Sequence, residues 1–387
     1  MIEEKKEYKK HNSFIKFSSS SKNDSNNILI KIKKILNNPN YLKHLNSVNL
    51  NLIKVIQKDL FSPNMKKYSN DIFKLSQHVI DDLNILEDKE IPKYLIHRYR
   101  YEIYPIKKIL DDFPPYLQIE PSSICNYRCV FCFETDKSFT NKKNGFMGTM
   151  KLELFKDIID QAHKNVEFIS LASRGEPLVC KDIDKMLEYT TGKFLNLKIN
   201  TNASLLNEKS IHAILNGGVK TVVFSADAAD EDLYAKLRVN GNLKNVLKNI
   251  EKFNKIKTTR YPNKKIITRV SGVKVNDSQD INAMQNLWGD LVNQVAFVDY
   301  NPWENVYDSN ESQISKPCSD LWRRMFVWWD GKANPCDTDY KSILSPGNFK
   351  EMNIEKLWNS DVYNNLRQKH EMKSRKNIFP CKNCCVT

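Results

Sequence analysis

Between Leu117 and Val298, short apolar runs alternate with stretches whose apolar residues recur every three or four positions. The runs Leu117–Glu120, Val166–Leu171, Leu195–Asn200, Val219–Ser225, Ile266–Val275 and Val292–Val298 predict six strands. The stretches Leu152–His163, Ile183–Tyr189, Glu208–Leu215, Leu243–Phe253 and Ile281–Trp288 predict the intervening helices. Such alternation predicts an α/β fold, a parallel sheet curled into a partial (β/α)6 TIM-like barrel. In these barrels chemistry gathers in the loops after the C-terminal ends of the strands. Residues 28–115 show only the helical spacing, as in Ile28, Ile32, Ile35 and Leu36 or Leu75, Val79 and Leu83, which predicts a helical extension broken at Pro114 and Pro115. Residues 1–27 are polar, with serines at 18–21, and are expected to be disordered. The barrel is expected over 116–305, leaving 306–387 as a separate C-terminal domain.

A length of 387 residues accommodates one large domain with one or two smaller ones. The formal charge of +14 raises a nucleic-acid hypothesis. The lysines, however, are spread through the chain among Asn and Ile, with no basic stripe carrying interleaved aromatics. The charge therefore reads as a solvated surface with some allowance for an acidic substrate, and a nucleic-acid partner is not expected. The N-terminus lacks the apolar region of a secretory signal and no apolar run approaches a membrane span, which predicts a cytoplasmic protein. In that reducing compartment thiols serve metals.

Nine cysteines fall in two groups, with Cys180 apart as a small buried hydrophobe. Cys125, Cys129 and Cys132 lie within eight residues, so a disulfide would leave one unpaired. A closed zinc site needs a fourth ligand, and the next candidates downstream are His163 and Cys180. A 4Fe-4S cluster held by three thiolates leaves one iron for a ligand that is not protein. Cys318, Cys336 and the terminal Cys381-x2-Cys384 make a second set of four, enough for zinc or for a fully ligated cluster. His163, His212 and His370 lack partners at ligand spacing and read as structural or exposed.

The spacing C-x3-C-x2-C, with Phe131 before its last cysteine, resembles the signature of the radical S-adenosylmethionine (SAM) superfamily. Further motifs stand at the predicted strand ends in the order that family has them. The resemblance implies that Cys125, Cys129 and Cys132 hold a 4Fe-4S cluster whose open iron chelates SAM, and that an electron from it yields a 5'-deoxyadenosyl radical. Gly175-Glu176-Pro177 resembles the motif for the SAM amino group. Asn202 lies in a segment similar to the family's Thr-Asn-Gly, with Ala203 in place of Gly. Ser225 and Arg238 match the residues reaching the ribose and carboxylate, a guanidinium fork suiting a carboxylate. Ser271, Gly272 and Val273 are candidates to line the adenine. Asp299 to Asn305 lie where a substrate should sit.

The C-terminal cysteines, with Trp328-Trp329-Asp330-Gly331 between them, resemble the twitch form of the SPASM domain. This implies a second, auxiliary 4Fe-4S cluster on Cys318, Cys336, Cys381 and Cys384, with Cys385 able to replace Cys384. Asp337, next to Cys336, is then a candidate base, in competition with Asp339. The implied reaction is oxidation or epimerisation of a small polar molecule such as an aminosugar or cyclitol, with a reducing donor such as flavodoxin or ferredoxin. A peptide substrate is the rival, disfavoured because the residues before the barrel lack the alternation of a β-rich recognition module. A zinc protein binding nucleic acid is the rival of another class. The resemblance covers residues 116–387; the first 115 carry none of its motifs.

Overall fold

The computed structural model describes residues 6–10, 13–20, 25–62 and 69–387. Its strands are β1 (Phe14–Ser19), β2 (Tyr116–Ile119), β3 (Phe168–Leu171), β4 (Asn196–Thr201), β5 (Val219–Ser225), β6 (Ile267–Lys274), β7 (Gln294–Asp299), β8 (Arg324–Val327), β9 (Lys332–Asn334) and β10 (Gly347–Asn348). They form one sheet in the order β1-β7-β6-β5-β4-β3-β2-β8-β9-β10. Strands β2 to β7 are mutually parallel and make the six-stranded partial barrel. β8, from the C-terminal domain, continues it parallel to β2, so the sheet runs unbroken across that boundary.

Successive side chains on a strand point to opposite faces. One set, including Ile119, Leu171, Ile199, Phe224 and Phe297, is fully buried in the main core with the covering helices. Helix Leu152–Ala162 supplies Phe155, Ile158, Ile159 and Ala162, one stripe at helical spacing. Full burial of Phe155, Ile158 and Ile159 contributes about 1.5–3 kcal/mol each. The alternate set, Gln118, Lys198, Asn200, Ser225 and Ser271, faces a cavity in the barrel. A barrel closed for stability alone fills its interior with branched apolar side chains; this one lines it with polar groups.

The extension is helical, with Ser25–Leu36, Ser47–Phe61, Gln77–Ile85 and Ile91–Lys107 as its longer elements. These build a second core reaching Phe168 and Leu195, on which Tyr94 and His97 pack; the His97 ring stacks on Phe168 with centroids 3.6 Å apart. Phe168 opens β3, so the extension closes the N-terminal ends of the strands.

The N-terminal stretch corrects its expected disorder, although residues 1–5, 11–12 and 21–24 lie outside the described residues. Phe14–Ser19 is β1, antiparallel to β7, and Tyr8 bridges Val386. Its polar composition hides this because the sheet edge supplies the hydrogen bonds, while Phe14 and Phe17 pack against the ring of His78.

Candidate active site

The loop carrying Cys125, Cys129 and Cys132 leaves the C-terminal end of β2. Ser123 anchors it, its N–H donating to Gly148 O (3.0 Å) and its Oγ accepting from Gly148 N (2.8 Å). Farther along, Arg128–Cys129 pairs antiparallel with Arg238–Val239. All three thiols line a single cavity of about 440 Å³ at the barrel mouth, the functional face the sequence predicts. Burial pushes each thiol up, Cys125 to about 12, so ionising them would take a bound cation.

Gly175, Glu176 and Pro177 follow β3 and lie beneath this loop. A Cβ on Gly175 would sit 2.5 Å from Ser123 C and 2.6 Å from Ile124 O. What this glycine admits is thus the backbone leading into the cysteine loop, rather than a ligand. Glu176 accepts from Thr201 Oγ1 (2.7 Å), Asn202 N (2.7 Å) and Leu178 N (3.1 Å). Burial raises its pKa and these bonds oppose the rise. Asn202 donates from Nδ2 to Asn126 Oδ1 (3.0 Å), and its Oδ1 accepts from Ser204 N (3.0 Å) in an Asx turn. Ala203 takes φ 61°, the left-handed conformation that the family's glycine would adopt without strain.

Arg238 is buried against Asp227, Nε to Oδ2 2.6 Å, with Nη1 3.8 Å from Cys129 Sγ and the guanidinium over the Phe131 ring. Asp227, which the sequence reading passed over, therefore fixes the fork beside the thiols. Ser225, Ser271 and Val273 line the cavity, whereas a Cβ on Gly272 would meet Ala226 O at 2.3 Å on the packed side of the strand. Asn200 Oδ1 and Ser173 Oγ, buried on the cavity wall, have no partner among the described residues. Three thiols, orphaned polar atoms and a positioned guanidinium in one cavity suit a cluster-bound amino acid such as SAM.

The opposite wall brings in residues distant in sequence: Asp299 at the end of β7 with Tyr300, Asn301 and Trp303 after it, Tyr8 and Lys10 from the N-terminal stretch, and Asp337. Trp303 Nε1 donates to Phe131 O (3.1 Å), tying this wall to the cysteine loop. Asp337 bonds Lys10, which also reaches Asp320 (3.1 Å). Its competitor Asp339 points away from the cavity, accepting from Tyr307 Oη (2.8 Å), Ile343 N (3.0 Å) and Leu344 N (2.8 Å). Burial pushes it up to about 6 despite those bonds, and it anchors a loop. A pair the sequence did not single out joins barrel and C-terminal domain. Glu120 receives Arg174 Nε (2.8 Å) and Nη2 (2.6 Å), and Arg174 Nη1 donates to Tyr340 O (2.8 Å).

Cys318, Cys336, Cys381 and Cys384 line a separate chamber, four thiols from three segments, as a fully ligated cluster requires. Cys385 is turned aside, its Sγ 2.8 Å from Asn301 Oδ1. His370 is fully buried at the chamber, neither exposed nor isolated; its Nδ1 accepts from Cys318 N (3.1 Å). Among the described residues no three His, Cys, Asp or Glu side chains are grouped to hold a single metal ion, and no helix is long and apolar enough to cross a membrane.

Residues 119–283 match the radical SAM superfamily and residues 318–385 the SPASM iron-sulfur cluster-binding domain. The chain is 30% identical over 246 residues to GTP 3',8-cyclase of Clostridium botulinum (strain Okra / Type B1), covering 61% of this chain and 70% of that enzyme. It is 22% identical over 273 residues to the S-adenosyl-L-methionine-dependent 2-deoxy-scyllo-inosamine dehydrogenase of Niallia circulans, covering 69% and 91%. In fold it is similar to Streptococcus suis SuiB bound to precursor peptide SuiA, with TM-score 0.52 and 17% identity over 87% of this chain and 83% of that one. The cofactors are SAM, the 4Fe-4S cluster that binds it and auxiliary iron-sulfur chemistry in the C-terminal domain. The chain belongs to the radical SAM superfamily and carries a C-terminal SPASM domain.

Proposed function

We propose that this protein is a SAM-dependent dehydrogenase of a small polar molecule of the aminosugar or cyclitol kind. One observation carries the reading: Asp337, the residue after Cys336 of the second thiol set, enters the same cavity as Cys125, Cys129 and Cys132. When bound, the cofactors supply a 5'-deoxyadenosyl radical to accept a hydrogen atom and an auxiliary cluster to accept an electron. The substrate loses a hydrogen atom from carbon, an O–H or N–H proton and one electron, leaving a C=O or C=N bond. Asp337 takes the proton, with its carboxylate fixed by Lys10. Glu176, Asn202, Ser225 and Arg238 orient SAM, beside Phe131 and the Gly175-Glu176-Pro177 turn. Cys318, Cys336, Cys381 and Cys384 hold the auxiliary cluster.

The likeness to the Niallia circulans dehydrogenase, spanning 91% of that enzyme, supports the substrate class. So do the polar groups that Tyr8, Lys10 and Asp337 bring to the cavity wall, which suit a small polar molecule. The test screens C-deuterated aminosugars and cyclitols under a reductant such as flavodoxin or ferredoxin. Deuterium is expected to enter 5'-deoxyadenosine, and Asp337→Asn to keep that transfer while losing the oxidised product. Transfer from none of them, with a peptide active instead, would overturn the substrate class. Unchanged product formation by Asp337→Asn would remove the base.

A further inference from the structure

Below the active-site cavity the barrel holds another, of about 220 Å³, which the cofactors and the proposed reaction leave unused. It lies where the N-terminal ends of the strands meet the helical extension. Tyr116, Asn196 and Arg269 line it from the sheet, and His78, Asp82 and Arg98 from the helices. Lys10, Lys198 and Arg324 line both cavities, so the two adjoin. Five lining side chains are cationic (Lys10, Arg98, Lys198, Arg269 and Arg324) and only Asp82 is a carboxylate.

Part of this charge is answered. Lys10 pairs with Asp320 and Asp337, Arg98 with Glu102, and Arg324 with Asp320. Lys198 and Arg269 form no ion pair among the described residues. Arg269 donates from Nε to Gln294 Oε1 (2.7 Å), and its remaining N–H groups have no protein acceptor there. Lys198 lies over the Tyr116 ring, 5.6 Å from its centroid. Asp82 is occupied, its Oδ2 accepting from Tyr94 Oη (2.7 Å). Tyr116 Oη is buried without a partner and can donate. Burial pushes the Arg269 guanidinium down, and it pushes His78 well down, helped by the charges of Arg98, Arg269 and Lys198. Lys198 and Arg269 are half-buried, and Asp82 and Asp81 oppose the fall at Arg269 without pairing with it, so an anion in the cavity would compensate both cations.

We propose that the barrel floor is an oxyanion-binding site of the phosphate or sulfate class, with Lys198 and Arg269 as its principal ligands. A tetrahedral anion has oxygens enough for a guanidinium fork, an ammonium and the Tyr116 hydroxyl together, which a carboxylate lacks. The same chemistry describes a free anion and the terminal group of a substrate whose reacting carbon reaches the cavity above. The site itself does not depend on the proposed oxidation.

The test is calorimetric titration of inorganic phosphate, at constant ionic strength, into the reconstituted full-length protein. One site per chain is expected, weakened about tenfold or more by Lys198→Met and by Arg269→Met, with SAM affinity unchanged in Arg269→Met. No phosphate binding, or binding indifferent to both substitutions, would overturn the proposal. Should the variants fail to fold, phosphate and sulfate must still raise the wild-type thermal midpoint where chloride at equal ionic strength does not, and equal midpoints would overturn it. Addition of sugar phosphates separates the two sources. Faster 5'-deoxyadenosine release that phosphate suppresses assigns the site to a substrate group; phosphate binding without that acceleration assigns it to a free anion. Phosphate binding in a protein that oxidises no polar alcohol or amine would overturn the dehydrogenase reading alone.

Discussion

Replacement of Glu120 by Gln tests how the barrel and the SPASM domain share one site. Glu120 is fully buried, and its two oxygens accept Arg174 N (3.1 Å), Nε (2.8 Å) and Nη2 (2.6 Å) as well as Trp329 N (3.2 Å). Arg174 is 3% exposed and stacks over the Trp328 ring, 4.1 Å from its centroid. The pair joins the end of β2, the loop bearing Glu176 and the segment between Cys336 and Tyr340. Gln conserves shape but removes the charge, and breaking a buried pair by altering one partner costs about 3–5 kcal/mol. Replacing both partners by apolar residues leaves no charge stranded, so Glu120→Leu/Arg174→Met should be more stable than either single variant. The assay is anaerobic urea unfolding of wild type, Glu120→Gln, Glu120→Leu, Arg174→Met and the double variant, with iron content measured alongside. A loss below about 1 kcal/mol in Glu120→Gln, or a double variant no better than the better single one, would refute this account.

Other perturbations read separate parts of the site. Gly175→Ala drives a methyl into the backbone at Ser123 and Ile124, so iron retention should fall at the Cys125 set while the C-terminal set keeps its own; equal retention at both would contradict that packing role. Cys125→Ala/Cys129→Ala/Cys132→Ala should take reconstituted iron from about eight to about four atoms. Within the C-terminal set, Cys384→Ala should lose iron and Cys385→Ala keep it, because only Cys384 faces the chamber; the reverse result would exchange the two ligands. Burial holds His97 well below its ordinary value, so at acid pH the unfolded chain binds a proton that the folded one refuses. Stability from this group is therefore lost as pH falls below about 6.5, at about 1.4 kcal/mol per unit. His97→Phe, which can keep the stack on Phe168, should gain on wild type by that slope in urea midpoints measured from pH 6.5 to 5; parallel curves would refute it.

Much of the barrel is legible because its two periods are local. Ile183–Tyr189 and Val219–Ser225 fall where apolar spacing places them, and the other predicted strands and helices differ mainly at their ends. The cysteine sets are legible as well, since thiol spacing carries their chemistry and sequence order separates them. The helix Glu231–Leu237 escaped, short and with only Tyr234 and Leu237 buried. β1 escaped for another reason: a six-residue segment at the sheet edge takes its stability from the partner strand, and no composition rule registers a partner almost three hundred residues away.

The same separation explains why the substrate side of the site was less legible than the cofactor side. Glu176, Asn202 and Arg238 stand at strand ends, where a motif marks them. Lys10 and Asp320 come from opposite ends of the chain and have no meaning as a local pattern, while Asp337 is marked only by its place beside Cys336. Lys198 and Arg269 look like ordinary polar positions on alternating strands, a pattern that usually means a solvated face. Here the alternate face turns inward, because the apolar face is already covered by helices and the sheet curls around what remains. Polar alternation with both faces enclosed therefore marks a ligand cavity, and the identity of its inward residues describes the ligand. Thiols, Glu176 and Arg238 line the upper level, where SAM is proposed to bind; Lys198 and Arg269 reach the lower, where the unpaired charge is positive.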